Sequence, residues 1–462
     1  MHGSILNGQT AGTGVIPMNR RTFCSLPLAA ALPLAAQNDA ATADPGAPKA
    51  AIERWKDLRF GMFIHWGPVS IVGTEISWSR GGERRGRTGT GSVPVEVYDN
   101  LYRMFNPVKF DPDHWVQLAK DSGMKYLVFT TKHHDGFCEF DSKLTDYKIT
   151  SGKSPYRKDI VRMLSDACHR AGLDWGVYYS QPDWHHPDYR NGAAHARYIE
   201  YLHGQVRELL TNYGPTKEWF FDGLDGTAAD WDAPRLLRMM RQIEPDLIVN
   251  DRAGLAADLD TPEQVIGMFQ NNRPWETCAT VGTQWAYKPE DELRSIEECL
   301  RGLVCCVIGD GNLLFNAGPR PDGLIEESHA ARLREMGAFL QQYGESIYAT
   351  RGGPFVAPDE KKRPADAQAF VLAEGNWWGG STHKGNTIYL HILRWPSDSV
   401  SLPAMPRKIL RHSLLGGGNA AVKQRESGIQ VSVPAARRHN VDTIVKLELD
   451  GLASTLPVLR QG

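Results

Sequence analysis

From about residue 58, short apolar runs alternate with amphipathic stretches along more than half of the chain. The run Gly61–Gly67 predicts a strand that ends in His65-Trp66-Gly67, and Asp113–Gly123 predicts a helix. Lys125–Thr131 predicts a second strand running into Lys132-His133-His134-Asp135-Gly136. A helix over Ile160–Gly172 and a third strand over Asp174–Ser180 follow, then a helix over His203–Tyr213. Glu218-Trp219-Phe220-Phe221-Asp222-Gly223 reads as a fourth strand, Leu236–Ile243 as a helix and Leu247–Asn250 as a fifth strand ending at Asp251-Arg252. Leu303–Ile308 and Leu313–Asn316 supply further apolar runs before a helix over Ala330–Tyr343. This many strand–helix units argue for a parallel sheet closed into a (β/α)8-type barrel rather than left open.

Polar residues collect where the runs end: His65, His133, His134, Tyr179, Asp222 and Arg252. In such barrels the carboxyl ends of the strands carry the chemistry. Period-2 alternation puts Phe220 and Asp222 on one side of their strand, with Trp219 and Phe221 on the other. A carboxylate beside aromatic rings is poorly hydrated, and Gly223 after it lets a ligand approach closely. Beyond Ile347 the pattern changes to short strands split by Gly, Pro and Asn, which predicts an antiparallel β-sandwich. The expected organisation is an export signal at 1–36, a linker at 37–50, a barrel at 51–346 and a sandwich at 347–462.

The leader rests on Arg20-Arg21 followed by an Ala/Pro-rich apolar run too short to span a bilayer. That is the pattern of a twin-arginine export signal, with translation able to start at Met18, and it predicts a periplasmic or extracellular protein. No transmembrane span is expected. With 52 Lys+Arg against 54 Asp+Glu, nothing points to a nucleic acid or other polyanion. Of seven cysteines, Cys24 leaves with the signal, and the other six show no metal-finger spacing and are expected to be buried free thiols.

Two carboxylates are the minimum equipment for glycoside hydrolysis, one to attack or activate water and one to protonate the leaving oxygen. Asp222 supplies one. For the second, Thr261-Pro262-Glu263-Gln264 and Pro274-Trp275-Glu276-Thr277 both fall in irregular sequence, where an acid/base can be re-protonated from solvent. Adjacent histidines on an extended segment point to opposite sides, so His133 and His134 are expected to bind sugar hydroxyls rather than share a metal. No metal and no cofactor are expected.

The segments Phe60–Gly67, Gly123–Tyr126, Thr131–Phe137, Val177–Ser180, Trp219–Gly223 and Gly311–Pro319 resemble the retaining α-L-fucosidases of glycoside hydrolase family 29. The resemblance runs in order from about residue 52 to 350 and implies a (β/α) barrel followed by a C-terminal antiparallel β-sandwich. It implies Asp222 as nucleophile, and His65, His133, His134, Tyr179 and Arg252 as residues holding the sugar or the nucleophile. Phe220 is expected against the fucose methyl. Glu75 and Trp78 carry over as substrate-binding residues although Ile76 and Ser77 separate them. The Thr-Pro-Glu-Gln context favours Glu263 over Glu276 as acid/base and resembles a branch acting on α-1,3/1,4-linked fucose of branched glycans. The implied partner is a fucosylated oligosaccharide or glycoconjugate. Competing readings are a hydrolase for another L-galacto sugar such as an α-L-galactoside, and an inactive fucose-binding protein.

Overall fold

The structure is a computed structural model, and it describes residues 46–266, 268–357 and 377–460. The predicted export signal therefore lies outside the described residues. The linker reading is corrected at its end, because a helix already begins at Lys49 and runs to Leu58.

Seven parallel strands form the first sheet: β1 (Phe60–Ile64), β2 (Tyr126–Lys132), β3 (Asp174–Tyr179), β4 (Glu218–Phe221), β5 (Ile248–Val249), β6 (Glu276–Thr280) and β7 (Asn312–Ala317). Their order is β5-β4-β3-β2-β1-β7-β6. The gap between β5 and β6 is filled by the irregular segment 258–264. On one side Asp258 N donates to Val249 O (2.9 Å); on the other Cys278 N donates to Pro262 O (3.1 Å) and Gln264 N to Cys278 O (2.8 Å). This eighth stave closes the ring, and Glu263 sits on it in bridge contact with Cys278.

Helices Pro112–Asp121, Ile160–Ala171, His195–Asn212, Ala233–Ile243, Ile296–Ile308 and Glu327–Tyr343 occupy the connections and the end of the barrel. Their apolar faces bury the outward residues of the strands, so Leu127, Phe129, Trp219 and Phe221 belong to one large core with Leu164, Leu202 and Leu237. The helix ends follow their sequence. Asp111 caps the Pro112 helix by accepting from Asp113 N and His114 N, and Gly172 ends the Ile160 helix at φ +66°.

Inside the ring a second set of residues alternates with the first. Phe63, Tyr126, Val128, Tyr178, Phe220, Cys278 and Leu314 form an interior cluster. Gly61 shares this inward parity and is needed there: a Cβ on it would lie 2.3 Å from the Tyr126 ring. The helix Lys49–Leu58 covers the amino end of the barrel, where Trp55 Nε1 donates to Glu218 Oε2 (2.7 Å).

The C-terminal unit has a five-stranded sheet in the order Ile409–Leu414, Thr443–Leu449, Thr387–Ile392, Gly379–Lys384, Arg351–Gly352. A three-stranded sheet of Ser399–Leu402, Gly428–Ser432 and Ala421–Arg425 packs with it around Ile388, Leu390, Val431, Val445 and Leu447. Both sheets are antiparallel throughout. Tyr389, Leu393 and Ile444, on the other face, pack into the barrel's core with Phe339. No described helix is long and apolar enough to cross a membrane.

Candidate active site

At the carboxyl ends of the strands lies a cavity of about 240 Å³, smaller than the roughly 300–1,000 Å³ of most drug-sized ligand pockets. Strand parity builds its walls. His65 stands two residues beyond Phe63, and Asp222 two beyond Phe220, so both pairs face inward. Asp222 is held from both oxygens. Oδ2 accepts from the Tyr178 hydroxyl at 2.8 Å and lies 3.4 Å from His134 Nε2, while Oδ1 accepts from Arg252 Nη1 at 3.2 Å.

Arg252 follows β5 on a short turn, Asp251–Ala253. Its other terminal nitrogen, Nη2, reaches Glu263 Oε2 at 2.9 Å, so one guanidinium spans both carboxylates. Burial opposes the arginine's charge, but Glu263 and then Asp222 outweigh it and raise its pKa above the ordinary value. The two acids differ in exposure: the Asp222 side chain is 14% accessible and that of Glu263 44%. One is shielded at a strand end, and the other stands at the mouth, in contact with solvent.

Three imidazoles line or back the cavity. Burial lowers the His65 pKa to about 4, and holds His133 and His134 well below the usual histidine range. All three are neutral near pH 7. His65 Nδ1 bonds Asn316 Oδ1 (2.7 Å), His133 Nδ1 meets Ser77 Oγ (2.6 Å) and His134 Nδ1 meets Ser180 Oγ (2.6 Å). Phe63, Phe220 and Trp285 supply an apolar wall, with the Trp285 ring 4.8 Å from that of His65. Trp78 stands at the rim with Arg84 and Arg87 over its ring, at 5.2 and 5.4 Å. A small cavity with paired carboxylates, neutral imidazoles and a flat aromatic wall suits one sugar ring bound for acid-assisted displacement.

The alpha-L-fucosidase sequence profile matches residues 29–345 of the chain. The chain belongs to the alpha-L-fucosidase family. A plasma alpha-L-fucosidase of Rattus norvegicus is 30% identical over 426 residues, covering 84% of this chain and 88% of its own length. Among solved structures, alpha-L-fucosidase isoenzyme 1 of Paenibacillus thiaminolyticus is 35% identical with a TM-score of 0.74, covering 87% of this chain and 99% of that one. A Bacteroides thetaiotaomicron alpha-L-fucosidase of family GH29 is 25% identical with a TM-score of 0.75, covering 88% and 98%. That enzyme was trapped as a covalent intermediate with 2-fluoro-fucosyl fluoride by means of a mutant.

Within this family member, His65, Trp78, His133, Phe220, Asp222, Arg252 and Glu263 all meet at the one cavity, and His134 reaches Asp222 from behind. Four expectations need correction. Tyr179 points away: its hydroxyl donates to Gln205 Oε1 (2.8 Å) among the helices, and its neighbour Tyr178 faces Asp222. The Glu75 carboxylate is absent from the cavity lining and instead accepts from the backbone of Ile76, Trp285 and Ala286, at 3.0, 2.9 and 3.1 Å. It anchors the loop that carries Trp285. Glu276, the rejected alternative, is no loop residue; it opens β6 at the opposite end of the barrel.

His133 and His134 do not diverge as extended neighbours would. The chain leaves β2 at Lys132 and turns, with Gly136 N donating to His133 O at 3.0 Å and Gly136 at φ +83°. Their ring centroids come within 4.1 Å, and donor atoms of His133, His134 and Asp222 lie within 4.8 Å of one another. Tyr178, Phe63, Trp285 and Arg87 also line the cavity, with Leu224, Asp225 and Cys278, and were missed. The inward parity of Phe63 with His65, and of Tyr178 with Phe220, could have found the first two. Trp285 and Arg87 sit on loops without a local signal.

All six described cysteines are buried free thiols.

Proposed function

We propose that the protein releases α-linked L-fucose from fucosylated glycans by a retaining double displacement. The observation that carries this reading is the single Arg252 guanidinium joining Asp222 and Glu263 over one cavity. Asp222 attacks the anomeric carbon as the glycosidic bond breaks, while Glu263 gives its proton to the departing oxygen. Tyr178 and Arg252 orient the attacking carboxylate, and the neutral imidazoles hold the sugar's hydroxyls. Glu263, now a carboxylate, takes a proton from water that displaces Asp222, which restores the α configuration. Phe220, Phe63 and Trp285 offer the apolar wall that a sugar bearing a methyl in place of a hydroxymethyl needs. Proton NMR of the first-formed sugar tests the mechanism: α-L-fucose is expected, and β-L-fucose appearing first would refute it.

We also infer export by the twin-arginine route, from Arg20-Arg21 and the apolar run after them. Replacing both arginines by lysine should leave precursor in the cytoplasm, and normal export of that variant would overturn the inference.

A further inference from the structure

Charge is divided unevenly between the two parts of the molecule. Residues 377–460 carry eleven Lys and Arg against five Asp and Glu, a formal charge of +6 within a chain whose total is −2. One of those five acids, Asp442, is wholly buried and bonded to His391 Nδ1 (2.7 Å), so it does little to offset the cations at the surface. The near balance of the whole chain conceals a basic C-terminal unit beside an acidic remainder.

Part of this charge gathers where the two sheets of the sandwich meet. The strands Ile409–Leu414 and Ala421–Arg425 are edges of their sheets. Gln424 ties them together: its Oε1 accepts from Ile409 N (2.9 Å) and its Nε2 donates to Arg407 O (2.6 Å). The turn after Thr443–Leu449 joins the same seam, with Asp450 N donating to Lys408 O (3.0 Å) and Arg407 Nη2 to Thr455 Oγ1 (3.0 Å). Lys408, Lys423 and Arg425 are exposed and make no ion pair among the described residues. Glu426 and Asp450 are the exposed acids of the seam, and Glu448 is taken by Arg411 Nε (2.8 Å).

Two leucines stand among these cations, Leu410 at 63% exposure and Leu452 at 56%. The backbone puts the first of them there. Ile409 pairs with Leu449 and Arg411 with Glu448, so Leu410 is the extra residue of a bulge, left out of the ladder and turned to solvent. Lysines, arginines and bulges commonly keep edge strands from pairing with other chains, but an exposed leucine works against that purpose. A soluble polyanion would meet the cations and gain nothing from the leucines. A bilayer with anionic headgroups uses both, with cations at the phosphates and leucines in the boundary between headgroups and acyl chains.

We propose that this seam, through Arg407, Lys408, Leu410, Lys423, Arg425 and Leu452, is a docking surface for anionic lipid bilayers. Contact of this kind is peripheral and weakens as salt rises, since exposed charges are screened. It holds whether or not the cavity cleaves fucosides.

The test is co-sedimentation of the full chain with lipid vesicles at about 50 mM salt, where screening is weak. Wild type should pellet with vesicles containing phosphatidylglycerol and far less with pure phosphatidylcholine. Lys423→Glu combined with Arg425→Glu should weaken binding to the anionic vesicles roughly tenfold or more, and Leu410→Ser should weaken it several-fold with no change in binding to dextran sulfate. The leader is common to all the proteins compared, so a difference between them belongs to the seam. An unchanged Tm shows that each variant is folded; should either fail, Lys408→Glu with Leu452→Ser probes the same surface. Absence of wild-type binding to anionic vesicles, equal binding to neutral ones, or wild-type affinity in the folded variants would overturn the proposal. Dextran sulfate binding that falls with the charge reversals, alongside vesicle binding indifferent to Leu410→Ser, would assign the surface to a soluble polyanion instead.

Discussion

Replacing Glu218 by glutamine removes one of two carboxyl groups buried together at the floor of the barrel. Glu218 Oε2 accepts from Trp55 Nε1, and the facing Glu276 Oε1 accepts from the Tyr126 hydroxyl. Both acids are almost wholly inaccessible, at 3% and 0%. Burial raises the Glu218 pKa from 4.5 to about 7, and burial with the neighbouring Glu218 raises Glu276 well above the usual range. The folded state therefore binds more protons than the unfolded chain, and stability falls as pH rises from about 4.5 through about 7. At about 1.36 kcal/mol per pKa unit, the Glu218 shift is worth on the order of 3 kcal/mol once it is fully ionised. Glutamine keeps the acceptor for Trp55 and carries no charge at any pH. Glu218→Gln should therefore match wild type near pH 5 and exceed it near pH 8. With an unfolding entropy of about 2.1 cal/mol/K per residue, the gain in Tm for a chain of this size is roughly 3–4 °C. Thermal unfolding of both proteins at the two pH values is the measurement. An equal Tm difference at both, or a less stable variant at pH 8, would refute the reasoning.

Asp222→Gly should lower kcat on an aryl fucoside by roughly 10⁴-fold or more and keep the fold with a modest change in Tm, because the Tyr178 hydroxyl and Arg252 lose an acceptor; azide should return activity as β-fucosyl azide. Glu263→Ala should cost roughly 10²–10⁴-fold on glycans with poor leaving groups and much less on an activated aryl fucoside, with azide giving the α-azide. Glu276→Gln should keep kcat/KM within about twofold, since hydrogen bonding to Tyr126 persists; a loss as large as that of Glu263→Ala would transfer the acid role. Dialysis against a strong chelator should leave activity unchanged, and a loss restored specifically by zinc or calcium would make His133, His134 and Asp222 a metal site.

Much of this architecture was legible because a strand's parity and direction are written in its side chains. The Glu218–Phe221 strand shows both: Glu218, Phe220 and Asp222 share one face and rise from floor to cavity, while Trp219 and Phe221 enter the outer core. The same rule, applied to Val177-Tyr178-Tyr179-Ser180, selects Tyr178 over Tyr179, and choosing the last aromatic of the strand missed it. Glu276 falls in irregular sequence beyond the Arg252 strand, yet it opens β6. Its position at the beginning of β6, rather than the end, puts it two residues below Cys278 and on the wrong side of the barrel for chemistry. The convergence of His133 and His134 depends on a turn after Lys132, which alternation cannot foresee. Arg87 and Trp285 arrive on long connections, where nothing in the local pattern says what the loop will face.

The division of labour between the two acids follows from where the barrel is regular and where it is not. Asp222 follows β4, whose neighbours β3 and β5 are both paired, and its backbone N donates to Tyr179 O at 3.3 Å. The nucleophile proposed here must attack one carbon along one line, and it gains from such fixity. Glu263 instead sits on the eighth stave, which pairs with its neighbours only through isolated bridges and has Gln264 at φ +56° immediately after it. That irregular backbone carries the more exposed side chain, as suits the proposed acid/base, which has to exchange protons with water in each turnover. Arg252 couples the two from a turn between them in sequence. It keeps both acids beside one cavity while leaving each in the environment that its proposed step requires.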